Sequence, residues 1–380
     1  MRVEVLNRDL DLVAKLKALG VDGGGVKILE AKSKLSIIYI AGLKVGAANI
    51  LKQDALSIGA DLAVPRGTVI AKEPLVDAIL IASKKHLRLL SRKLLAQPFG
   101  LKRLAGELTK IASVQMPAKV EVMGVVNAND DSFYSGSRFK SSDAIIKLEQ
   151  MIDEGADIID LGGVSSAPKS KSVSEDEELE RVRPVADAIY EQRLYNRVSF
   201  SIDSYSPSVI SYALERGFSV VNDITGLRDE RVCALASQYD AKAVMMHMLG
   251  EPQTMQDNPH YESVLSDIYG FFAQRLEMVE KFGIKDVILD VGIGFGKTVE
   301  HNLKLIRDLE HFLTLGKSLL VGASRKSLIG KIDGSGAEDR LGGTLALHLE
   351  AVRNGASIIR VHDVKEHVQA LKVHKSIHSV

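Results

Sequence analysis

From residue 121 onward this chain repeats one pattern eight times: a short run of branched apolar residues, then a longer amphipathic stretch of helical period. The runs fall at 122–127, 157–161, 198–203, 219–222, 243–247, 287–290, 318–322 and 357–362. Runs this short and apolar suit parallel strands buried on both faces, and their alternation with helices suits βα units. Eight such units close a (β/α)8 barrel of about 250 residues. The expected fold is therefore α/β, a TIM barrel over 116–380 preceded by a small α/β domain over 1–115. An open doubly wound sheet alternates the same elements. The polar residues favour closure: Asn127, Asp203, Asn222, His247, Asp290 and His362 all sit at or just beyond strand carboxyl ends. In a barrel those ends form one ring, at the face where barrel enzymes place their chemistry.

The sixth run ends on Asp290 and is followed by Gly292, Gly294 and Gly296 at alternate positions, then Lys297. A carboxylate there is costly to bury without a partner, and a ligand with two N–H donors in a fork is a natural one. The glycines either let a flat ligand approach the backbone or serve a tight turn that needs positive φ. Two nucleotide motifs are excluded. The triphosphate-binding glycine loop needs glycine where this chain has Val291, and the dinucleotide fingerprint needs one where it has Lys297.

Lys plus Arg and Asp plus Glu both number 49, which gives no global field for nucleic acid or anionic lipid. A single cysteine, Cys233, rules out an internal disulfide and a cysteine-rich zinc site, and suits a reducing compartment. No apolar stretch is long enough to span a bilayer and the first residues lack a signal-type core, so a soluble cytoplasmic protein is expected. The first 110 or so residues carry shorter strand candidates at 2–6 and 35–40, helices at 9–19 and 49–58, and a turn at GVDGGG. The Lys- and Arg-rich run 84–95 reads as a solvated helix face, and the segment from about 97 to 117 as a connection.

Several other groups point toward the ring. Gly322-Ala-Ser-Arg-Lys-Ser327 offers two cations and two hydroxyls at a strand-to-helix junction, where helix dipoles disfavour cations unless an anion or polar ring meets them. Arg360 and His362 share a direction on the eighth strand and suit phosphate oxygens, with a structural salt bridge the alternative for Arg360. Asp203 and Asn222 can recognise a heterocycle; Asp223 can anchor its loop instead. His247 has no second histidine at ligand spacing and reads as packed.

Residues from about 120 to 374 resemble dihydropteroate synthase, with MGVVNANDDSF, ADIIDLGGVSSAP, SIDSY, NDITGL, MHM, ILDVGIGFGK, GASRKS, DRLGGTLA and RVHDVKE in that family's order. The resemblance implies a (β/α)8 barrel that joins 6-hydroxymethyl-7,8-dihydropterin diphosphate to p-aminobenzoate, releasing diphosphate in folate biosynthesis. It implies that Asp203, Asn222, Asp290 and Lys326 hold the pterin, with Met246 and Phe295 bordering it. Asn127, through Mg2+, would hold the diphosphate with Arg360 and His362, and Asp131 of the first loop joins this catalytic group. Phe133, Ser166, Pro168 and Ser327 would frame the p-aminobenzoate pocket, with help from Lys326. Diphosphate would leave a resonance-stabilised pterin cation that the arylamine attacks, so stabilising the leaving group is the main catalytic term. Homodimerisation and sulfonamide sensitivity are further expectations of the resemblance.

The chain departs from the family pattern in two loops and, mildly, at Val291, where the family's DPGIGFGK reads DVGIGFGK. The first reads NANDDSFYSGS where the family usually has NVTPDSFSDGG, and the second places Ala167 where the family has an arginine. Lys169 or Lys171 is expected to supply that charge; unchanged kinetics for the diphosphate substrate in both Lys→Ala variants would discard the idea. A corrinoid-linked methyltransferase domain that binds methyl-tetrahydrofolate shares the pterin-recognising Asp and Asn but has no need for Ser-Arg-Lys or Arg-x-His. A noncatalytic pterin-binding paralogue is supported by the altered loops alone.

Overall fold

The computed structural model describes residues 3–378 except 5, 8, 9, 129–137, 165–172 and 252–253, with the backbone alone of 138–143. The chain divides into two compact units, residues 1–115 with 375–380, and residues 116–374.

The first unit holds a three-stranded antiparallel sheet, β1 (Leu35–Lys44), β2 (Asp61–Ala63) and β3 (Leu75–Ser83), in the order β1-β3-β2. β3 was not anticipated, although Val76, Ala78, Leu80 and Ala82 alternate inward as a half-buried strand requires. Three expectations are corrected. Described residues of 2–6 form no strand. GVDGGG is a helix start, because Asp22 accepts from Gly25 N–H and caps the helix Gly23–Ser33. The supposed connection contains the helix Leu101–Ser113, whose Leu101, Ala105, Leu108 and Ala112 enter the unit's core. The basic helix Lys84–Leu94 is solvated on one face only; Leu87, Leu90 and Leu94 are buried on the other.

The second unit is a closed barrel of eight parallel strands with helices between them. Its strands are β4 (Glu121–Asn127), β5 (Ile158–Gly162), β6 (Ser199–Asp203), β7 (Val220–Asp223), β8 (Lys242–Met246), β9 (Val287–Asp290), β10 (Ser318–Val321) and β11 (Ile358–Val361). β11 pairs with β4 and closes the ring. Inside lies a layer of Met123, Ile158, Val220, Val244, Ile288, Leu320 and Ile358, each contributing about 1.5–3 kcal/mol for a large side chain removed from water. Two residues further along, the same inward direction carries Asp160, Asn222, Met246, Asp290 and Arg360. Sheet register aligns these ends, Gly162 with Asp203, Asp203 with Asn222, and Met246 with Asp290. The apolar floor and the polar ring are thus consecutive layers of one barrel.

Candidate active site

The centre of the ring is an ion cluster that the sequence reading did not assemble. Arg360 Nε lies 2.6 Å from Asp160 Oδ2 and its Nη2 lies 2.5 Å from Asp203 Oδ2. Asn222 Nδ2 donates to the same Asp160 oxygen at 3.0 Å. Asp160 is fully buried and its Oδ1 has no hydrogen-bond partner. Such a carboxylate survives in an apolar barrel only because a guanidinium and an amide hold its other oxygen. Burial raises the Asp203 carboxyl to about 7, against the pull of Arg360. Arg360 thus binds two acids, while His362 Nδ1 lies 2.9 Å from Ser324 Oγ. Asp160 was missed, yet it is the one charge inside the apolar run IIDLG.

A second cluster surrounds Asp290. Its Oδ1 accepts from Gly292 N–H at 2.7 Å, and burial raises its pKa against the pull of Lys326. The Lys326 ammonium donates to the Ile293 carbonyl and sits 4.3 Å from the centre of the Phe295 ring. Loss of water pushes Lys326 down to about 8, while Asp290 pulls it back up. Met246 pairs with Asp290 in register, so it borders the same spot.

The glycines here serve the protein's own packing. A Cβ on Gly292, at φ +67°, would lie 2.0 Å from the His247 carbonyl oxygen, and one on Gly294 would lie 3.1 Å from Lys326 Cδ. The loop is pinned by residues the sequence reading passed over. Asn302 accepts from Gly294 N–H at 2.7 Å and donates to the Thr298 carbonyl at 2.6 Å, and Gln256 donates to the Gly294 carbonyl at 2.6 Å. Lys297 is buried beneath, donating to the Phe295 carbonyl at 2.8 Å and placed 3.1 Å from His247 Nδ1. Burial lowers Lys297 to about 7, and burial together with Lys297 lowers His247 to about 3. His247 packs edge-on against Phe271, as the packed reading expected.

The loop after β10 differs from expectation at Arg325. Its guanidinium forks onto the Asp363 carboxylate, Nε to Oδ2 at 3.0 Å and Nη2 to Oδ1 at 2.6 Å, and does not await an anion. Arg325 has φ +53°, a left-handed conformation that Thr344 and Arg340 hold at its N–H and carbonyl. That bend brings Lys326 back toward Asp290. Ser327 begins the helix Ser327–Asp333 and is exposed. Asn127 ends β4, in register with Gly162. Asp131, Phe133, Ser166, Ala167, Pro168, Lys169 and Lys171 lie outside the described residues. The described residues contain no cluster of three or more His, Cys, Asp or Glu that could hold a metal.

A barrel mouth with fixed acids, an amide, a lysine and a bordering aromatic can grip a flat ring rich in N–H donors. The sequence profile of the pterin binding enzymes matches residues 123–362. The bifunctional dihydropteroate synthase/dihydropteroate reductase of Helicobacter pylori is 42% identical over 377 residues, with 99% of each chain covered. The chain belongs to the dihydropteroate synthase family. The dihydropteroate synthase of Haemophilus influenzae is 40% identical over 258 residues, covering 67% of this chain and 92% of that one. The crystal structure of dihydropteroate synthase from Thermus thermophilus in complex with 4-aminobenzoate superposes with a TM-score of 0.62 at 38% identity, covering 68% of this chain and 95% of that one. Dihydropteroate synthases of the shorter kind thus match about two thirds of this chain, whereas the Helicobacter relative spans the N-terminal unit as well.

Proposed function

We infer that this chain is a dihydropteroate synthase that condenses 6-hydroxymethyl-7,8-dihydropterin diphosphate with p-aminobenzoate, giving 7,8-dihydropteroate and diphosphate. The observation that carries this reading is the convergence of Asp203, Asn222, Asp290 and Lys326 on one barrel face in a chain of this family. In this reading the free oxygen side of Asp290 receives the 2-amino and N3 hydrogens of the pterin, with its Oδ1 fixed by Gly292. Lys326 donates to the ring while Phe295 and Met246 border it. Arg360 and His362 serve the diphosphate end, Asp131 stays among the catalytic residues, and Phe133, Ser166, Pro168 and Ser327 frame the p-aminobenzoate pocket. The C–O bond to diphosphate breaks first, the pterin takes the positive charge, and the arylamine nitrogen then attacks and loses a proton.

Mg2+ belongs to the reading as a ligand of Asn127. Mg2+ needs only one or two protein oxygens and takes the rest from phosphate and water, which fits one amide at a strand end. When bound it neutralises charge on the leaving diphosphate. A cytoplasmic location and a homodimer complete the reading. Cys233, buried and unpaired, agrees with a reducing compartment, and no described helix is long and apolar enough to cross a membrane. The deciding experiment measures diphosphate release from the pterin diphosphate and Mg2+, with and without p-aminobenzoate. Release coupled to dihydropteroate formation supports the synthase; pterin binding without product would favour a noncatalytic paralogue.

A second activity, reduction of dihydropteroate, has one observation in its favour: the match to the bifunctional Helicobacter relative covers 99% of both chains, N-terminal unit included. Incubating the full chain with dihydropteroate and reduced nicotinamide dinucleotide tests it. No oxidation of the nicotinamide above background would remove it.

A further inference from the structure

Two buried histidines behind the barrel mouth have no part in the function described above. His348, on the helix Leu341–Arg353, and His367, on the helix Val364–His378, are each 1% exposed. His348 Nδ1 lies 2.9 Å from His367 Nε2. At one end Ala323 N–H donates to His348 Nε2 at 3.0 Å; at the other, His367 Nδ1 is 2.6 Å from the Asp363 carbonyl oxygen.

Three such contacts in series admit one arrangement of protons. A carbonyl only accepts, so His367 carries its hydrogen on Nδ1 and presents a lone pair at Nε2. His348 must then donate from Nδ1, which leaves its Nε2 to accept from Ala323. A further proton on either ring would set one N–H against another. Burial pushes His348 down to about 3 and His367 down as well, so both rings are neutral.

The ends of this series are the two loops of the ring. Ala323 lies three residues before Lys326, and Asp363 directly follows His362. In front, Ser324 and Arg325 tie the same loops through side chains, to His362 and Asp363. Behind, the histidines join their backbones by way of two helices. We propose that His348 and His367 are positioning residues, a proton-ordered relay that fixes the loop carrying Lys326 against the strand end carrying His362 for the pterin diphosphate. This rests on the synthase reading.

Two measurements on the full chain test it, and the first does not depend on turnover. Nitrogen NMR of histidine-labelled protein should find both rings as the Nδ1–H form, without titration between about pH 6 and 8. An Nε2-protonated His348, or titration of either ring in that range, would overturn the relay. The second is kinetic. His348→Leu removes both of its bonds, whereas the amide oxygen of His348→Gln can still reach Ala323 N–H. The Leu variant should lose about tenfold in kcat/KM for the pterin diphosphate, the scale of one hydrogen bond, with KM for p-aminobenzoate unchanged. The Gln variant should recover most of that loss. Equal losses in both variants, or a matching rise in the p-aminobenzoate KM, would sink the positioning role. Should the Leu variant not fold, His367→Asn keeps a donor for Asp363 but no acceptor for His348, and wild-type kinetics in it would overturn the proposal. If the native chain itself makes no dihydropteroate, the synthase reading fails while the NMR result still decides whether the relay exists.

Discussion

Arg360 reaches Asp203 across the barrel mouth, Nη2 to Oδ2 at 2.5 Å, while its Nε holds Asp160 at 2.6 Å. One cation therefore answers for two buried acids that come from neighbouring strands.

Replacing that cation should cost more than a surface ion pair would. Arg360→Met leaves Asp160 and Asp203 uncompensated, an effect of about 3–5 kcal/mol when one partner of a buried pair is removed. Urea denaturation near neutral pH measures it. The loss should shrink at lower pH, because burial already raises Asp203 to about 7 and the protonated acid needs no partner. A loss of under about 1 kcal/mol would mean that the cluster is not held as described.

Asp290→Asn separates recognition from folding. The amide oxygen can still accept from Gly292 N–H, so the loop should keep its shape and the thermal midpoint should move little. A charge-assisted hydrogen bond to the pterin is lost, about 1.5–3 kcal/mol, which is roughly 10- to 150-fold in kcat/KM for the pterin diphosphate. Unchanged kcat/KM would remove Asp290 from the pterin site.

Gly292→Ala tests the loop itself. Gly292 and Gly316 both have positive φ, but a Cβ on Gly292 meets the His247 carbonyl at 2.0 Å while one on Gly316 meets nothing within 4 Å. Gly316→Ala should cost about 1–2 kcal/mol for the backbone conformation alone. Gly292→Ala should cost at least about 2 kcal/mol more, since two backbone segments must part. Equal costs in urea denaturation would show that the close approach is unimportant.

Lys326 predicts opposite trends in activity and stability with pH. Its folded pKa of about 8 lies below the ordinary value of 10.5, mainly through lost solvation. Pterin-diphosphate kcat/KM should fall as pH rises through about 8 and the ammonium loses its proton. Between about 8 and 10.5 the unfolded chain binds more protons at this residue than the folded one, so its contribution to stability rises with pH. Lys326→Met should abolish both trends; a wild-type pH profile in that variant would assign the titration elsewhere.

The eight strands were legible because buried parallel strands leave short apolar runs whose ends are marked by polar residues. β9 matches its run residue for residue, and the other seven differ by one residue at one end or at both. β3 was missed although its alternation was present, since its outward positions are themselves largely apolar: Ile79 and Ile81 are exposed and mask the period. In the candidate site, Asp290 ends β9, Asn222 stands one residue before the end of β7 and Lys326 caps the helix after β10, places that a reading of strand ends and loops reaches. Asp160 could not be told from a strand residue by position, and only its pairing with Arg360, 200 residues away, reveals why an acid stands there. Arg325 was misjudged for the same reason, since its partner Asp363 belongs to another strand end.

The pairing of β11 with β4 has a consequence for how the protein is made. The first barrel strand must wait for the last, and Asp160 and Asp203 emerge 200 and 157 residues before the arginine that balances them. At about 5–20 residues per second, the growing chain carries both acids without their cation for roughly 8–31 seconds. Arrival of the final strand therefore closes the cylinder and brings the cation to its two acids in one event, and a chain stalled before residue 360 has neither the closing strand nor that arginine.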